Sequence, residues 1–177
     1  MPFRPERAFD NFRGPLHFYR YRYNLPPSSP KAEREPWPAA GRCRRGSNAI
    51  PTLEERNIGL IKAFIDAWNR SDMDAVVDFL AEDVFYHNIP VDPIIGRERV
   101  AAYLDRAGPF EDVDWRLISI AAAGDKVLTE RIDAFTVAGR RIALPLMGVF
   151  EIRDGKICAW RDYFDMGDYL RQTGQEG

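Results

Sequence analysis

The order of the predicted elements indicates an α+β fold, in which helices come first and a meander of long antiparallel strands follows. Two observations lead to this prediction. Up to about residue 107 the apolar residues recur mainly at spacings of three and four, as in amphipathic helices. After Gly108-Pro109 they alternate with polar residues, as in half-buried strands. A sheet of such strands is expected to curl around the helices and to leave a pocket that is open at one end.

Three helices are predicted before this change of period. The first begins at a capping box headed by Thr52 and runs to about residue 69. Asp72 caps a short second helix that turns Leu80, among other residues, inward. The third helix spans about residues 96–107.

One short strand is predicted between the helices and four long strands after them, at residues 83–89, 113–122, 126–137, 141–153 and 156–164. The dipeptide Asp154-Gly155 is a hairpin signal of the primed type. Pro145 interrupts the third long strand, which predicts a bulge or an edge position there, because proline has no N–H to donate. A last short helical turn is predicted at residues 168–171.

The first 50 residues differ in composition from the remainder of the chain. They hold nine Arg and one Lys against four acidic residues, and they hold eight of the 13 prolines. Such a composition favours a poorly ordered extension, so that the domain is predicted to cover residues 51–177. The run Arg20-Tyr21-Arg22-Tyr23 also fits stacking on single-stranded nucleic acid, which is the alternative to a solvated tail.

The composition argues against several classes of function. The net charge of −2 gives no general affinity for nucleic acid or for an anionic membrane. The two cysteines, Cys43 and Cys158, and the two histidines, His17 and His87, lack the spacing of a zinc site or of a disulfide framework. The sequence contains no apolar run long enough to span a membrane and no signal-peptide core, so a cytoplasmic protein is expected.

The last long strand places a carboxylate on an apolar face. Asp162 shares its face with Trp160 and Phe164, and a carboxylate among aromatic side chains is costly unless it is paired. Arg131 and Asp133 lie two residues apart on an earlier strand and therefore also share a face. If the two strands are neighbours, one arginine can lie between two carboxylates.

Tyr86 and Asn88 share a face of the short strand. Together with a carboxylate they can fix a water molecule by three hydrogen bonds, because tyrosine offers an O–H and asparagine both a donor and an acceptor. Each candidate also has an ordinary structural interpretation. Tyr86 can be a packing aromatic, Asn88 a turn residue and His87 a half-buried strand residue. The Arg131–Asp133 pair can be an ion pair that faces solvent.

Taken jointly, two aspartates bridged by one arginine, with a Tyr/Asn pair, describe an acid–base site. The arginine favours the ionised form of both aspartates, and burial disfavours it. If the aspartates share one proton, one carboxylate acts as the base and the other as the acid at neutral pH. This arrangement suits the addition of water across a strained ring, in which the acid protonates the leaving oxygen.

At these residues the sequence resembles the limonene-1,2-epoxide hydrolase family, within the larger group of nuclear-transport-factor-2-like (NTF2-like), ketosteroid-isomerase-like and SnoaL-like folds. The similarity spans about residues 53–170. Four segments carry it: Phe85-Tyr86-His87-Asn88, Leu128-Thr129-Glu130-Arg131-Ile132-Asp133, Gly148-Val149-Phe150 and Trp160-Arg161-Asp162-Tyr163-Phe164-Asp165.

The resemblance implies a curved mixed sheet packed on the helices, with a cone-shaped pocket. It implies that Asp162 is the general base, Asp133 the acid that protonates the epoxide oxygen, and Arg131 the bridge between them. Tyr86 and Asn88 would hold the water together with the base. It further implies a homodimer, no metal or cofactor, and a small hydrophobic epoxide, terpene-like or cyclic, that is opened to a vicinal diol. The residues expected to line the pocket are apolar: Leu144, Leu146, Met147 and Phe150.

Two other classes of function remain open. A relative with the same acid–base set can catalyse a different reaction, such as intramolecular epoxide opening by a cyclase, or an isomerisation. An isomerase needs a carboxylate base and oxyanion donors but no held water. The other class is a non-catalytic module that binds a small ligand, which this fold also supports, although such a module has no need of two buried carboxylates.

Overall fold

The structure, a computed structural model, describes residues 50–175. In chain order its elements are α1 (Leu53–Asn69), α2 (Met73–Asp78), β1 (Leu80–Asn88), β2 (Ile94–Ile95), α3 (Arg97–Ala107), β3 (Glu111–Ala123), β4 (Lys126–Val137), β5 (Arg140–Arg153), β6 (Lys156–Phe164) and α4 (Met166–Thr173). The predicted extension and its basic, aromatic run lie in residues 1–49, outside the described part of the chain.

The strands of residues 50–175 form one sheet in the order β2-β1-β6-β5-β4-β3. β3 to β6 pair antiparallel, each with the next strand in sequence, whereas β1 pairs parallel with β6. The sheet is therefore mixed and curved, and with the helices it confirms the predicted α+β fold. Because β1 closes onto β6, the short strand of the first half lies beside the last long strand.

The start of α1 follows the sequence prediction. Thr52 Oγ1 accepts a hydrogen bond from the Glu55 N–H, and the Glu55 carboxylate accepts one from the Thr52 N–H, so that two N–H groups at the helix start are satisfied. The buried face of α1 places Phe64 edge-on against Phe150 and Trp160 of the sheet. α1 thus covers the aromatic part of the core.

Leu80 departs from its predicted element. The prediction places it on the inward face of the second helix, but α2 ends at Asp78. Leu80 is instead the first residue of β1, where it is fully buried and pairs with Ile157. A buried apolar residue four positions after Val76 fits a helical stripe as well as a strand, so periodicity alone does not separate the two. β2 was not predicted, because two residues are too few to show a period.

Pro145 lies at a local edge of the sheet, which is one of the two positions predicted for it. β5 lies inside the sheet, but its pairing with β6 begins only at Leu146, which pairs with Phe164. At Pro145 the strand therefore has β4 as its neighbour, with Ile132 opposite, and no strand on the other side. The missing proline N–H consequently breaks no hydrogen bond of the β5–β6 ladder.

The predicted last helical turn is the longer helix α4. Asp165 caps it by accepting a hydrogen bond from the Asp168 N–H, and Gly174 ends it in a left-handed conformation. Gln172 of α4 exchanges two hydrogen bonds with the backbone of Ala143 in β5, beyond the point where β6 ends. Within residues 50–175, no helix is both long and apolar enough to cross a membrane.

Candidate active site

A buried arginine joins the two predicted aspartates. The Nε atom of Arg131 donates to Asp133 Oδ1 at 3.0 Å, and Nη2 donates to Asp133 Oδ2 at 3.1 Å. The same Nη2 donates to both carboxylate oxygens of Asp162, each at 3.0 Å. Arg131 has 0% of its surface exposed, Asp133 3% and Asp162 4%. The solvent-facing ion pair, which was the alternative for Arg131 and Asp133, is therefore wrong.

The strands that carry these residues, β4 and β6, are not neighbours. The sequence prediction had assumed adjacent strands in order to place one arginine between the two carboxylates. β5 lies between β4 and β6. In the row that crosses the three strands, Thr129 pairs with Gly148 and Gly148 pairs with Asp162. The arginine therefore reaches the second carboxylate across the one residue type that has no side chain.

Burial dominates the ionisation of the two carboxyl groups. It raises the pKa of Asp133 to about 6, although Arg131 opposes the shift, and the charge of Asp162 adds to it. Burial also raises the pKa of Asp162, again against the effect of Arg131. For Arg131 itself burial disfavours the charge, but the two aspartates outweigh it and hold the pKa above its ordinary value. The site thus combines a permanent cation with two carboxyls that release protons less readily than exposed aspartates.

Tyr86 and Asn88 lie beside Asp162 because of the parallel β1–β6 pairing. Asn88 is opposite Asp162 in the register, and Tyr86 is opposite Trp160. The Asn88 Nδ2 donates to Tyr86 Oη at 2.8 Å. Burial raises the pKa of Tyr86 well above its ordinary value, and the nearby Tyr103 and Asp162 add to the shift, so the phenol keeps its proton. All five predicted site residues therefore lie in one region of the molecule.

Aromatic and aliphatic side chains surround the charged cluster. The guanidinium carbon of Arg131 lies 4.9 Å from the centre of the Trp115 ring and 5.5 Å from that of Phe150. Leu144 and Leu146, which were expected to line the pocket, are buried on the same face of β5 as Phe150. Met147 was also expected there, and this is wrong. Its side chain is on the opposite face of β5 and 46% exposed, as strand alternation requires.

His87 takes no part in this cluster. It lies on β1 between Tyr86 and Asn88, so its side chain points to the other face of the strand. Its ring Nε2 lies 2.8 Å from the carbonyl oxygen of Val91, at the turn after β1. The structural interpretation of His87 is therefore confirmed.

The sequence prediction gave no role to two residues that contact the cluster, Thr129 and Gly148. Thr129 is buried and its Oγ1 accepts a hydrogen bond from Arg131 Nη1 at 3.0 Å. Gly148 lies against the same nitrogen. The indole N–H of Trp160, which the sequence already placed on the face of Asp162, is buried and has no hydrogen-bond partner within residues 50–175. The spacing of Thr129 and Arg131 could have revealed the first contact, since residues two apart on a strand share a face.

Solved structures define the class of protein to which this fold belongs. An NTF2-like protein of unknown function from Burkholderia pseudomallei K96243 superposes with a TM-score of 0.57 at 22% identity, covering 66% of this chain and 96% of that one. An LEH-like epoxide hydrolase of Mycobacterium tuberculosis superposes with a TM-score of 0.62 at 34% identity, covering 69% of this chain and 92% of that one. The protein thus has an NTF2-like α+β fold.

The sequence comparisons are more specific. Residues 55–175 match the limonene-1,2-epoxide hydrolase catalytic domain. The chain is also 37% identical over 111 residues to the epoxide hydrolase EphG of Mycobacterium tuberculosis strain H37Rv, an alignment that covers 63% of this chain and 74% of that protein. The chain therefore belongs to the limonene-1,2-epoxide hydrolase family, and it is an epoxide hydrolase.

Proposed function

We propose that this protein opens a small hydrophobic epoxide to a vicinal diol in one step, by general acid–base attack of water. Asp162 is the base, Asp133 the acid and Arg131 the bridge, while Tyr86 and Asn88 hold the water. The observation that supports this proposal most directly is a single buried guanidinium bonded to both carboxylates. A cluster that serves only to bind a ligand has no need of two buried titrating groups.

The hydrogen bonds of Tyr86 and Asn88 fit the holding of one water molecule. Asn88 donates to the Tyr86 oxygen, and residues 50–175 show no other hydrogen bond of these two side chains, so the phenolic proton and the Asn88 carbonyl oxygen can bind a further group. A water beside Asp162 would accept from the Tyr86 O–H and donate to Asn88 and to the carboxylate. One lone pair of that water then remains for attack on carbon.

One proton serves the pair throughout the reaction. Asp162 starts ionised and removes a proton from the water as the water oxygen attacks the epoxide carbon. Asp133 starts protonated and gives its proton to the ring oxygen as the C–O bond breaks. A pKa of about 6 makes a carboxyl of this kind a competent acid near neutral pH. The cycle closes when the proton on Asp162 passes back to Asp133, with Arg131 charged at every stage.

The surroundings of the cluster support a hydrophobic substrate. The side chains packed around it on the inner face of β3 and β5 are aromatic or aliphatic: Trp115, Leu144, Leu146 and Phe150. Within this group of side chains no cation is available for a substrate anion, because Arg131 is fully engaged with the aspartates. A terpene-like or cyclic epoxide without charge matches this lining.

A single-turnover reaction in ¹⁸O-water tests the mechanism. Excess enzyme, dialysed against a chelator, is mixed with a small cyclic epoxide, and the diol is analysed by mass spectrometry. We expect ¹⁸O in the diol at the first turnover, since water attacks carbon directly. Unlabelled diol would show that an aspartate oxygen entered the product through a covalent ester. Activity lost on dialysis and restored by a metal ion would contradict the cofactor-free scheme.

We also propose a homodimer formed through the outer face of the sheet. On that face Met147 is paired with Tyr163, and Leu128 is paired with Val149, the next outward residue of β5; Leu128, Met147 and Tyr163 are 40%, 46% and 44% exposed. An exposed apolar patch of this kind is typical of an interaction surface. Light scattering should give twice the chain mass, and Met147→Glu should lower it. Leu53→Glu, at an exposed leucine on α1, is the matched control, and a monomeric wild-type protein would refute the proposal.

The cytoplasmic location stays a prediction from composition. Its support is the small number of cysteines in the chain, Cys43 and Cys158.

A further inference from the structure

We infer that Gly148 and Thr129 are positioning residues of this site, which fix the guanidinium of Arg131 at the point where it meets both aspartates. Neither residue would touch the substrate. The inference builds on the proposed acid–base function, because it assigns to these residues the geometry on which the shared proton depends.

Gly148 is required by space and not by backbone conformation. Its φ lies outside the left-handed region, so its backbone conformation is open to any residue. A Cβ built at this position would lie 2.4 Å from Arg131 Nη1, 2.7 Å from Thr129 Oγ1 and 2.9 Å from Asp162 Oδ1. Three polar groups of the cluster therefore converge on the volume that any side chain at 148 would occupy.

The position of Gly148 in the sheet explains why this volume matters. β5 separates β4 from β6, and Gly148 is the residue of β5 that lies between Thr129 and Asp162. Any larger residue there would stand between the arginine of one strand and the carboxylate of the other. The absent side chain is thus what allows the Arg131–Asp162 contact to form.

Thr129 fixes the remaining end of the guanidinium. Nε and Nη2 of Arg131 are directed at the carboxylates, and Nη1 donates to Thr129 Oγ1 at 3.0 Å. The Thr129 hydroxyl in turn lies 3.5 Å from the Gly148 carbonyl oxygen, to which it donates. Thr129 is 1% exposed, so no bulk water replaces this acceptor if the hydroxyl is removed. Loss of the hydroxyl would leave a buried N–H of the arginine without a partner.

The first test compares Gly148→Ala with Gly59→Ala. Gly59 lies in α1, and a Cβ at that position would meet nothing within 4 Å, so this variant controls for the substitution itself. We expect Gly148→Ala to lower kcat on the order of 10²-fold, because the guanidinium must move away from its partners. Circular dichroism should show a folded protein. A folded Gly148→Ala enzyme with the kcat of Gly59→Ala would overturn the assignment.

The second test compares two substitutions at Thr129 and holds even if Gly148→Ala does not fold. Thr129→Val removes the hydroxyl at nearly constant shape, whereas Thr129→Ser keeps it. We expect Thr129→Val to lose roughly tenfold in kcat, as for an unpaired buried donor, and Thr129→Ser to recover most of that loss. Equal kcat values for the two variants would show that the hydroxyl has no positioning role.

A readout that does not depend on turnover separates this inference from the proposed function. The charges that act on Asp162 and Asp133 in the cluster are Arg131 and the two carboxylates themselves, with the neutral Tyr86 beside them. ¹³C NMR titration of the carboxyls in each variant reports their pKa values directly. Arg131 lowers both, so its displacement in Gly148→Ala should move both titrations to higher pH. Unchanged titrations would refute the positioning role, while a wild-type enzyme that forms no diol would refute the proposed function alone.

Discussion

An arginine meets a carboxylate on both faces of the central strands, with opposite results for the acid. On the outer face Arg161 pairs with Glu151, and the two side chains remain 23% and 28% exposed. That hydrogen bond lowers the pKa of Glu151. On the inner face Arg131 bonds Asp133 just as directly, yet burial raises the pKa of Asp133 to about 6.

The comparison separates pairing from reactivity. At the half-buried outer pair, which water still reaches, the arginine holds the carboxylate ionised, and such a pair contributes little to stability. At a buried arginine among aromatic side chains the cost of burying charge opposes the ion pair, and the carboxyl holds its proton to a higher pH than an exposed aspartate does. An arginine–carboxylate pair is common to both faces, and it is the burial of the inner pair that identifies the candidate site.

The largest effect is expected from removal of the inner carboxyls. Asp162→Asn and Asp133→Asn should each lower kcat on the order of 10³-fold or more while the fold stays intact, because both keep the size and remove the titrating group. The double variant should be scarcely worse than either single variant, since the groups act as a unit. Diol formation measures kcat, with Glu151→Gln as the outer-face control. If the double variant instead loses the product of the two single losses in kcat, the two aspartates act independently.

A smaller effect is expected from Arg131→Lys. A guanidinium bonds two carboxylates at once, whereas an ammonium is a point charge, so we expect a loss in kcat on the order of 10²-fold. Arg161→Lys makes the same change in the half-buried outer pair and should keep a kcat close to that of wild type. Both variants are assayed for kcat side by side. Similar losses of kcat in the two variants would contradict the contrast between the two faces.

The pH dependence of stability should also differ between the faces. The raised pKa of Asp133 means that its stabilising contribution is present below the unfolded pKa and is lost as the pH rises through about 6. Between about pH 4 and pH 7, the free energy of unfolding of Asp133→Asn should therefore rise on the order of 2 kcal/mol relative to that of wild type. The pKa of Glu151 is lowered, so over the same pH range the free energy of unfolding of Glu151→Gln should fall slightly relative to that of wild type. Urea unfolding at both pH values measures the two free energies.

No effect is expected from removal of residues 1–46. Both faces of the sheet and the capping box at Thr52 are built from residues that the shortened chain retains. Thermal melting and kcat of a chain that begins at Ser47 should equal those of the full chain. A large loss of either would show that the first 50 residues do more than extend the domain.

The sequence was sufficient for the elements and for the faces of the strands. β4 and β6 begin and end at the predicted residues, and alternation correctly put Asp162 beside Trp160 and Asp133 beside Arg131. Periodicity reports which side of a strand a residue faces, but it does not report which strands are neighbours. The predicted meander already implies that β5 lies between β4 and β6. It does not give the register that places Gly148 between Thr129 and Asp162, so the role of Gly148 could not be predicted.

Two further differences have separate causes. Thr129 lies two residues before Arg131 on β4, so strand alternation places the two side chains on one face, and the sequence could have predicted their contact. Leu80 fits a helical stripe and a strand start equally well, and only its pairing with Ile157 decides between them.

The parallel pairing of β1 with β6 also has a consequence for how the enzyme comes into being. Tyr86 and Asn88 lie on the first strand of the domain and Asp162 on the last, so these groups meet only when the sheet closes across almost the whole domain. Such long-range contacts form at a high cost in loop entropy. A growing chain on the ribosome has no site until β6 has emerged, and neither half of the domain holds all five residues. Recovery of diol formation during refolding would therefore time the closure of the sheet.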